Sequence, residues 1–244
     1  MNLRKKKSEP EKITQALFII DESGSMDYVK KQTIIGINEQ IQELKKHPEI
    51  ITKVTVVTFN GEVKDVLVNK PLSKLDEFDG DTYHPSGMTA LYDAVAETIK
   101  REQKRKYKTK DVTRIVIIVT DGEENASSNY SRSNGGAQKI ADLIKEVESK
   151  GWTVTYLGAN QDLTEVHETL GIKMSNMASY NATNTGTSAA FACASIGLGS
   201  YMNKRSMVKT NYLQSADYGI SDKFFNETES ITNVPEEDKD VKPS

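Results

Sequence analysis

Cysteine is nearly missing from these 244 residues. Cys193 stands alone, inside the apolar stretch Ala189–Leu198. No disulfide can form within the chain, and no His-containing motif accompanies the thiol to make it a nucleophile, so it reads as a buried structural residue. Long apolar runs are missing as well. None approaches the ~20 residues that span a bilayer, so no membrane partner is expected. Charge of one sign does not dominate: charged residues make up 27% and the formal net charge is −3, which argues against a dedicated nucleic-acid binder. The basic start Met1–Lys7 is followed by Ser8-Glu9-Pro10-Glu11 rather than an apolar core. It does not read as a signal peptide, and a cytoplasmic location is expected. The patterns G-x-x-x-x-G-K-[ST], G-x-S-x-G and H-E-x-x-H are absent, and no internal repeat is visible. A chain of this length buries about 70–75% of its unfolded surface and needs no disulfide staples.

What is present alternates between strands and helices. The apolar run Ile13–Ile20 reads as a buried strand, and Ile34, Ile37, Ile41 and Leu44 mark an amphipathic helix stopped near Lys45-Lys46-His47-Pro48. Val54–Phe59 is a second strand. Asn60-Gly61 predicts a hairpin returning through Glu62–Val68 as an antiparallel edge strand. Residues 70–87 lack a period and read as a surface connection. Ala90, Leu91, Ala94, Val95, Thr98 and Ile99 share a helical face, followed by Lys100–Lys110 with seven cations, a solvated helix end and loop. Arg114–Thr120 is apolar on both faces, as a central parallel strand requires. Then come a helix around Ile140–Val147, a strand Thr153–Leu157, a short helix ending at Gly171, a weaker strand Ile172–Ala178 and a final helix Ser188–Asn203. Gly197 and Gly199 are expected to weaken that helix by about 1 kcal/mol each. From Met207 to Ser244 the chain carries eight acids against four lysines. The expected organisation is a charged arm over 1–11, one domain over 12–206 and an acidic, disordered tail over 207–244, its first half anchored by Tyr212, Tyr218, Phe224 and Phe225. The fold class is α/β: a three-layer, doubly wound, Rossmann-like and mostly parallel sheet with one antiparallel edge strand and helices on both faces.

Chemistry concentrates where the first strand ends. Asp21, Ser23 and Ser25 alternate in Asp21-Glu22-Ser23-Gly24-Ser25, so a curled loop aims three oxygens at one point. Oxygen donors without imidazole or thiolate suit a hard cation. The competing reading is that Asp21 and Ser25 cap the next helix. Two further segments belong beside this one: Ser86-Gly87-Met88-Thr89, opening a helix, and Thr120-Asp121-Gly122, closing the central strand. In an open α/β sheet the carboxyl ends of neighbouring central strands form the ligand site. Glu22, Glu123 and Glu124 read as rim charges, Asp27, His84 and Asn125 as loop residues nearby, and Tyr83, Pro85 and Met88 as an apolar contact surface.

These three pieces together resemble the metal-ion-dependent adhesion site of the von Willebrand factor A domain family, with its D-x-S-x-S, lone threonine and strand-end aspartate. The resemblance covers about residues 12–206 and points to the compact prokaryotic or bacteriophage type. It implies that Ser23, Ser25 and Thr89 supply hydroxyls and Asp21 and Asp121 carboxylates to Mg²⁺, with Mn²⁺ or Ca²⁺ as alternatives. A vacant position on the ion would take an Asp or Glu of a protein partner, and no nucleic acid is expected. The resemblance also raises an exchange of Thr89 for Asp121 as direct ligand, coupled to movement of the last helix. Two other functions stay open. One is a Mg²⁺-dependent phosphohydrolase of the haloacid-dehalogenase kind, although the second acid those enzymes carry is replaced here by Ser23. The other is a regulatory or structural subunit of a larger ATPase, kinase/phosphatase or defence-related assembly.

Overall fold

A computed structural model describes residues 11–207 and 223–225. The arm at 1–11 and the tail at 207–244 therefore lie almost wholly outside the described residues, as do Tyr212 and Tyr218. Six strands form one sheet in the order β3-β2-β1-β4-β5-β6. They are β1 (Ile13–Asp21), β2 (Ile51–Phe59), β3 (Val63–Pro71), β4 (Val112–Thr120), β5 (Thr153–Ala159) and β6 (Met177–Tyr180). All pair in parallel except β3, which runs antiparallel along the β2 edge. The helices are α1 (Lys30–Lys45), α2 (Leu91–Gln103), α3 (Gly136–Ser149), α4 (Leu163–Leu170) and α5 (Asn184–Met207). This is the α/β architecture expected, with the two aspartate-ended strands β1 and β4 as central neighbours.

Side chains alternate across a strand, so each central strand feeds two cores. Ala16, Phe18 and Ile20 of β1 join Ile115, Ile117 and Val119 of β4 on the side of α1 and α5. Leu17 and Ile19 join Val116 and Ile118 under α2 and α3. Every residue of β1 is buried, and a fully buried Phe or Ile contributes about 1.5–3 kcal/mol. That continuous burial is what holds the ends of β1 and β4 in register, Ile20 opposite Val119.

Two local expectations change, and the glycines of α5 gain a packing reason. The connection over 70–87 is not merely superficial: Leu72, Leu75, Phe78 and Tyr83 are buried in the core beneath α1. The last strand is shorter and later than Ile172–Ala178, because the Ile172 carbonyl meets the His167 ring at 2.7 Å and a 3₁₀ turn, Met174–Asn176, intervenes before β6. In α5 the glycines are positions of close approach. A Cβ on Gly197 would stand 2.5 Å from the Phe224 carbonyl oxygen, and one on Gly199 would stand 2.6 Å from Glu43 Oε1. Phe224 is buried there.

Candidate metal centre

Asp21 ends β1 and is fully buried. Its Oδ1 accepts the Ser23 backbone N–H at 2.7 Å, which curls the loop back over the strand end. Its Oδ2 accepts the Thr120 hydroxyl at 2.5 Å, a bond from β4 to β1. Ser23 is buried and Ser25 exposed, their hydroxyl oxygens 3.2 Å apart. The Ser25 hydroxyl donates to Asp121 Oδ1 at 2.7 Å. The capping alternative does not hold. Neither the 3₁₀ turn Gly24–Val29 nor α1 has a side-chain cap, and Val29, not Asp21 or Ser25, precedes α1.

Thr89 reaches the same place from below α2. Gly87 adopts φ +77°, a left-handed turn that favours glycine, and its carbonyl accepts the Gly24 N–H at 3.1 Å. The loops carrying Thr89 and the two serines are thereby joined. A Cβ on Gly122 would lie 3.3 Å from Thr89 Oγ1 and 3.9 Å from Asp21 Oδ2, so both oxygens border the space left open beside this glycine. The structure thus brings Asp21, Ser23, Ser25, Thr89 and Asp121 together at the carboxyl ends of β1 and β4.

Burial pushes the Asp21 carboxyl up to about 6, against the Thr120 and Ser23 hydrogen bonds that lower it; the charge of Asp121 adds to the rise. Burial raises Asp121 as well, opposed by Ser25. Two carboxylates that resist ionisation beside a set of hydroxyl dipoles suit a cation that offsets their charge. The spacing is compatible: cis oxygens of an octahedral Mg²⁺ shell, at about 2.1 Å from the ion, stand roughly 3 Å apart, near the 3.2 and 2.7 Å of the Ser23–Ser25 and Ser25–Asp121 pairs. Among the described residues no three His, Cys, Asp or Glu gather to hold a metal. The residues gathered here, Asp21, Ser23, Ser25, Thr89 and Asp121, offer three hydroxyls and only two acids.

Several neighbours have roles that spacing alone did not disclose. Glu22 is buried and accepts the His84 N–H, and Glu124 is buried and accepts from Tyr92, Ala126 and Ser127. Of the three expected rim charges only Glu123 is exposed, paired with Arg132 at 2.9 Å. Tyr83 is no contact residue: it is fully buried and its hydroxyl donates to the Asp21 carbonyl at 2.6 Å. Asn125 accepts the Thr89 N–H at 2.8 Å. Met88 is 59% exposed, and Tyr28, not singled out beforehand, is 75% exposed on the segment that follows Ser25. Beside Asp121 a cavity of about 360 Å³ opens, lined in part by Tyr92, Gly122, Arg132, Tyr156 and Gln161.

Solved structures of similar shape share little sequence with this chain. The PilB minor pilin from Streptococcus sanguinis superposes with a TM-score of 0.56 at 13% identity, covering 79% of this chain and 62% of the pilin. Proximal thread matrix protein 1 from the mussel byssus, with a zinc-occupied MIDAS motif, gives 0.52 at 14% identity over 75% of this chain and 44% of its own. The manganese-loaded TRAP protein of Plasmodium vivax gives 0.51 at 18% identity, over 74% and 72%. This chain thus spans less than two thirds of the pilin and of the byssus protein. At such identities the likeness establishes the fold. No curated protein matches the sequence. Among the described residues no helix is long and apolar enough to cross a membrane. The sequence model of the von Willebrand factor type A domain matches residues 17–192, most of the chain, and the chain belongs to that family.

Proposed function

We propose that this protein is a divalent-cation-dependent protein-binding module, without catalysis, whose partner presents an Asp or Glu. The observation that carries the reading is the convergence of Ser23, Ser25 and Asp121 oxygens at 2.7–3.2 Å, with Asp21 and Thr89 oxygens both bordering the open space beside Gly122. In this reading Ser23, Ser25 and Thr89 hold the ion through hydroxyls. Asp121 lies in reach of it directly or through water, while Asp21, committed to Ser23 and Thr120, orients the loop and balances charge. Mg²⁺ is the proposed cation, with Mn²⁺ next, and when bound it supplies a coordination position for an external carboxylate. Neutral hydroxyls neutralise little of a cation's charge, which favours an anionic sixth ligand. Tyr28 and Met88 add exposed apolar surface on the segments bearing Ser25 and Thr89, the composition of an interface core. A phosphohydrolase would need an acid where Ser23 stands.

The proposed setting is an intracellular complex of a bacterium or phage, in keeping with a single cysteine that excludes internal disulfides. Calorimetric titration with Mg²⁺ and Mn²⁺ tests the metal, and pull-down from host lysate with and without chelator tests the partner. Asp21→Ala and the Ser23→Ala/Ser25→Ala double variant are expected to stay folded and lose both. Partner capture unchanged in chelator would overturn the proposal, and so would metal-dependent turnover of a generic phosphate ester.

A further inference from the structure

The segment that opens α2 and the loop that follows β4 are tied together by an unusual number of bonds. The Thr89 carbonyl accepts the N–H groups of Asn125 at 3.0 Å and Ala126 at 3.2 Å, while the Thr89 N–H donates to Asn125 Oδ1 at 2.8 Å. The Tyr92 N–H donates to Glu124 Oε2 at 2.9 Å and the Asp93 N–H to Ser127 Oγ at 3.0 Å. In the other direction the Asp93 carboxylate accepts the N–H groups of Ser128, Asn129 and Tyr130 at 2.8–3.2 Å. The first turn of any helix leaves N–H groups without partners inside the helix, and Ala90 gives α2 no capping side chain of its own. The loop after β4 supplies the caps. Glu124, Ser127 and Asp93 are all buried in doing so.

This interlock joins the carriers of two proposed ligands, Thr89 and Asp121. We infer that Glu124 and Asn125 are positioning residues that hold Thr89 and Asp121 as one rigid unit, so that the site keeps a single arrangement and does not exchange one for the other. The inference rests on the metal reading above. A second observation, far from the site, points the same way. Helix α5, whose movement the family resemblance couples to such an exchange, is held at three points along its length. The Phe191 ring fills the space where a Cβ on Gly36 of α1 would stand. Phe224 packs against Gly197 in mid-helix. At the far end the buried Arg205 meets the buried Asp111, just before β4, at 2.8 Å. Movement of α5 along its axis would disturb these contacts.

The test uses the full chain and Mn²⁺ alone as the probe. Glu124→Gln keeps an oxygen for the Ala126 and Ser127 N–H groups and puts an amide against the Tyr92 N–H, cutting the link to α2. Asn125→Ala removes the acceptor of the Thr89 N–H at an exposed position and is the variant that decides if Glu124→Gln does not fold. Mn²⁺ affinity is measured at a temperature where each variant is fully folded by circular dichroism, so that a purely structural role leaves it unchanged. The expected result is a weakening of about 10-fold or more. Hydrogen exchange over 184–207 in the wild type is expected to slow with saturating Mn²⁺ only as much as the rest of the core does, through ligand stabilisation of the whole fold. Folded variants that bind Mn²⁺ within twofold of wild type, or Mn²⁺-dependent exchange confined to α5, overturn the inference and leave the metal reading standing. A wild type that binds no divalent cation sinks both.

Discussion

At Asp21 a carboxylate is buried with its two oxygens already committed, one to the Ser23 N–H and one to the Thr120 hydroxyl. Its proton leaves the unfolded chain near pH 3.8 and the folded chain near 6. Between those values the folded state binds more protons, so this contribution to stability is present below about pH 4 and lost as pH rises through 6. In chelator, Asp21→Asn is expected to flatten that decline, by an amount on the order of 2 kcal/mol between pH 4 and 7. Urea unfolding at a series of pH values reads it, and equal slopes in the two proteins would contradict it. Asp21, Ser23 and Ser25 could be read as a set because all three lie within five consecutive residues. Glu124 was not, because its partner Tyr92 lies 32 positions away and nothing local separates a buried acid from a solvated one. Tyr83 escaped for the same reason: its role is set by the Asp21 carbonyl, 62 positions earlier.

Helices and strands were easier to read than their ends and contacts. The 3.6-residue and two-residue periods of α1, α2, β1 and β4 survive in any environment that buries one face or both. The start of β6 and the fit of α5 depend on what packs against them. Helix α5 shows the difference. Its glycines cost helix propensity, yet they admit Phe224 and Glu43, contacts made by residues remote in sequence. Arg205 belongs to this scale too. It is fully buried, and its contact with Asp111 is a close ion pair, while its NH2 donates to the Asp111 carbonyl at 3.1 Å. Arg205→Met strands a buried carboxylate and is expected to destabilise by about 3–5 kcal/mol. Pairing it with Asp111→Asn should recover much of that loss. Chemical denaturation of both variants checks the difference, and equal destabilisation by the single and double variants would show that the charge is not the cause.

Across the whole molecule, the sheet brings three distant segments together at the carboxyl ends of its central strands β1 and β4. A ligand that binds only the folded state stabilises it by mass action, about 2.7 kcal/mol at a concentration 100 times its Kd. Thermal unfolding should therefore shift upward with Mn²⁺ or Mg²⁺ in proportion to the logarithm of concentration, and return on adding chelator. Asp21→Ala should abolish the shift. The sequence by itself determined the α/β class and the central place of the two aspartate-ended strands, and it placed Asp21, Ser23 and Ser25 within one short motif, since each follows from local periodicity or from a pattern a few residues long. Only the tertiary structure decided which acids face solvent, that Tyr83 lies beneath the site, and that the Thr89 and Asp121 segments are bound to one another. Those outcomes depend on hydrogen bonds and packing between segments tens of residues apart, where the desolvation of a polar group is matched by a partner that no local pattern identifies.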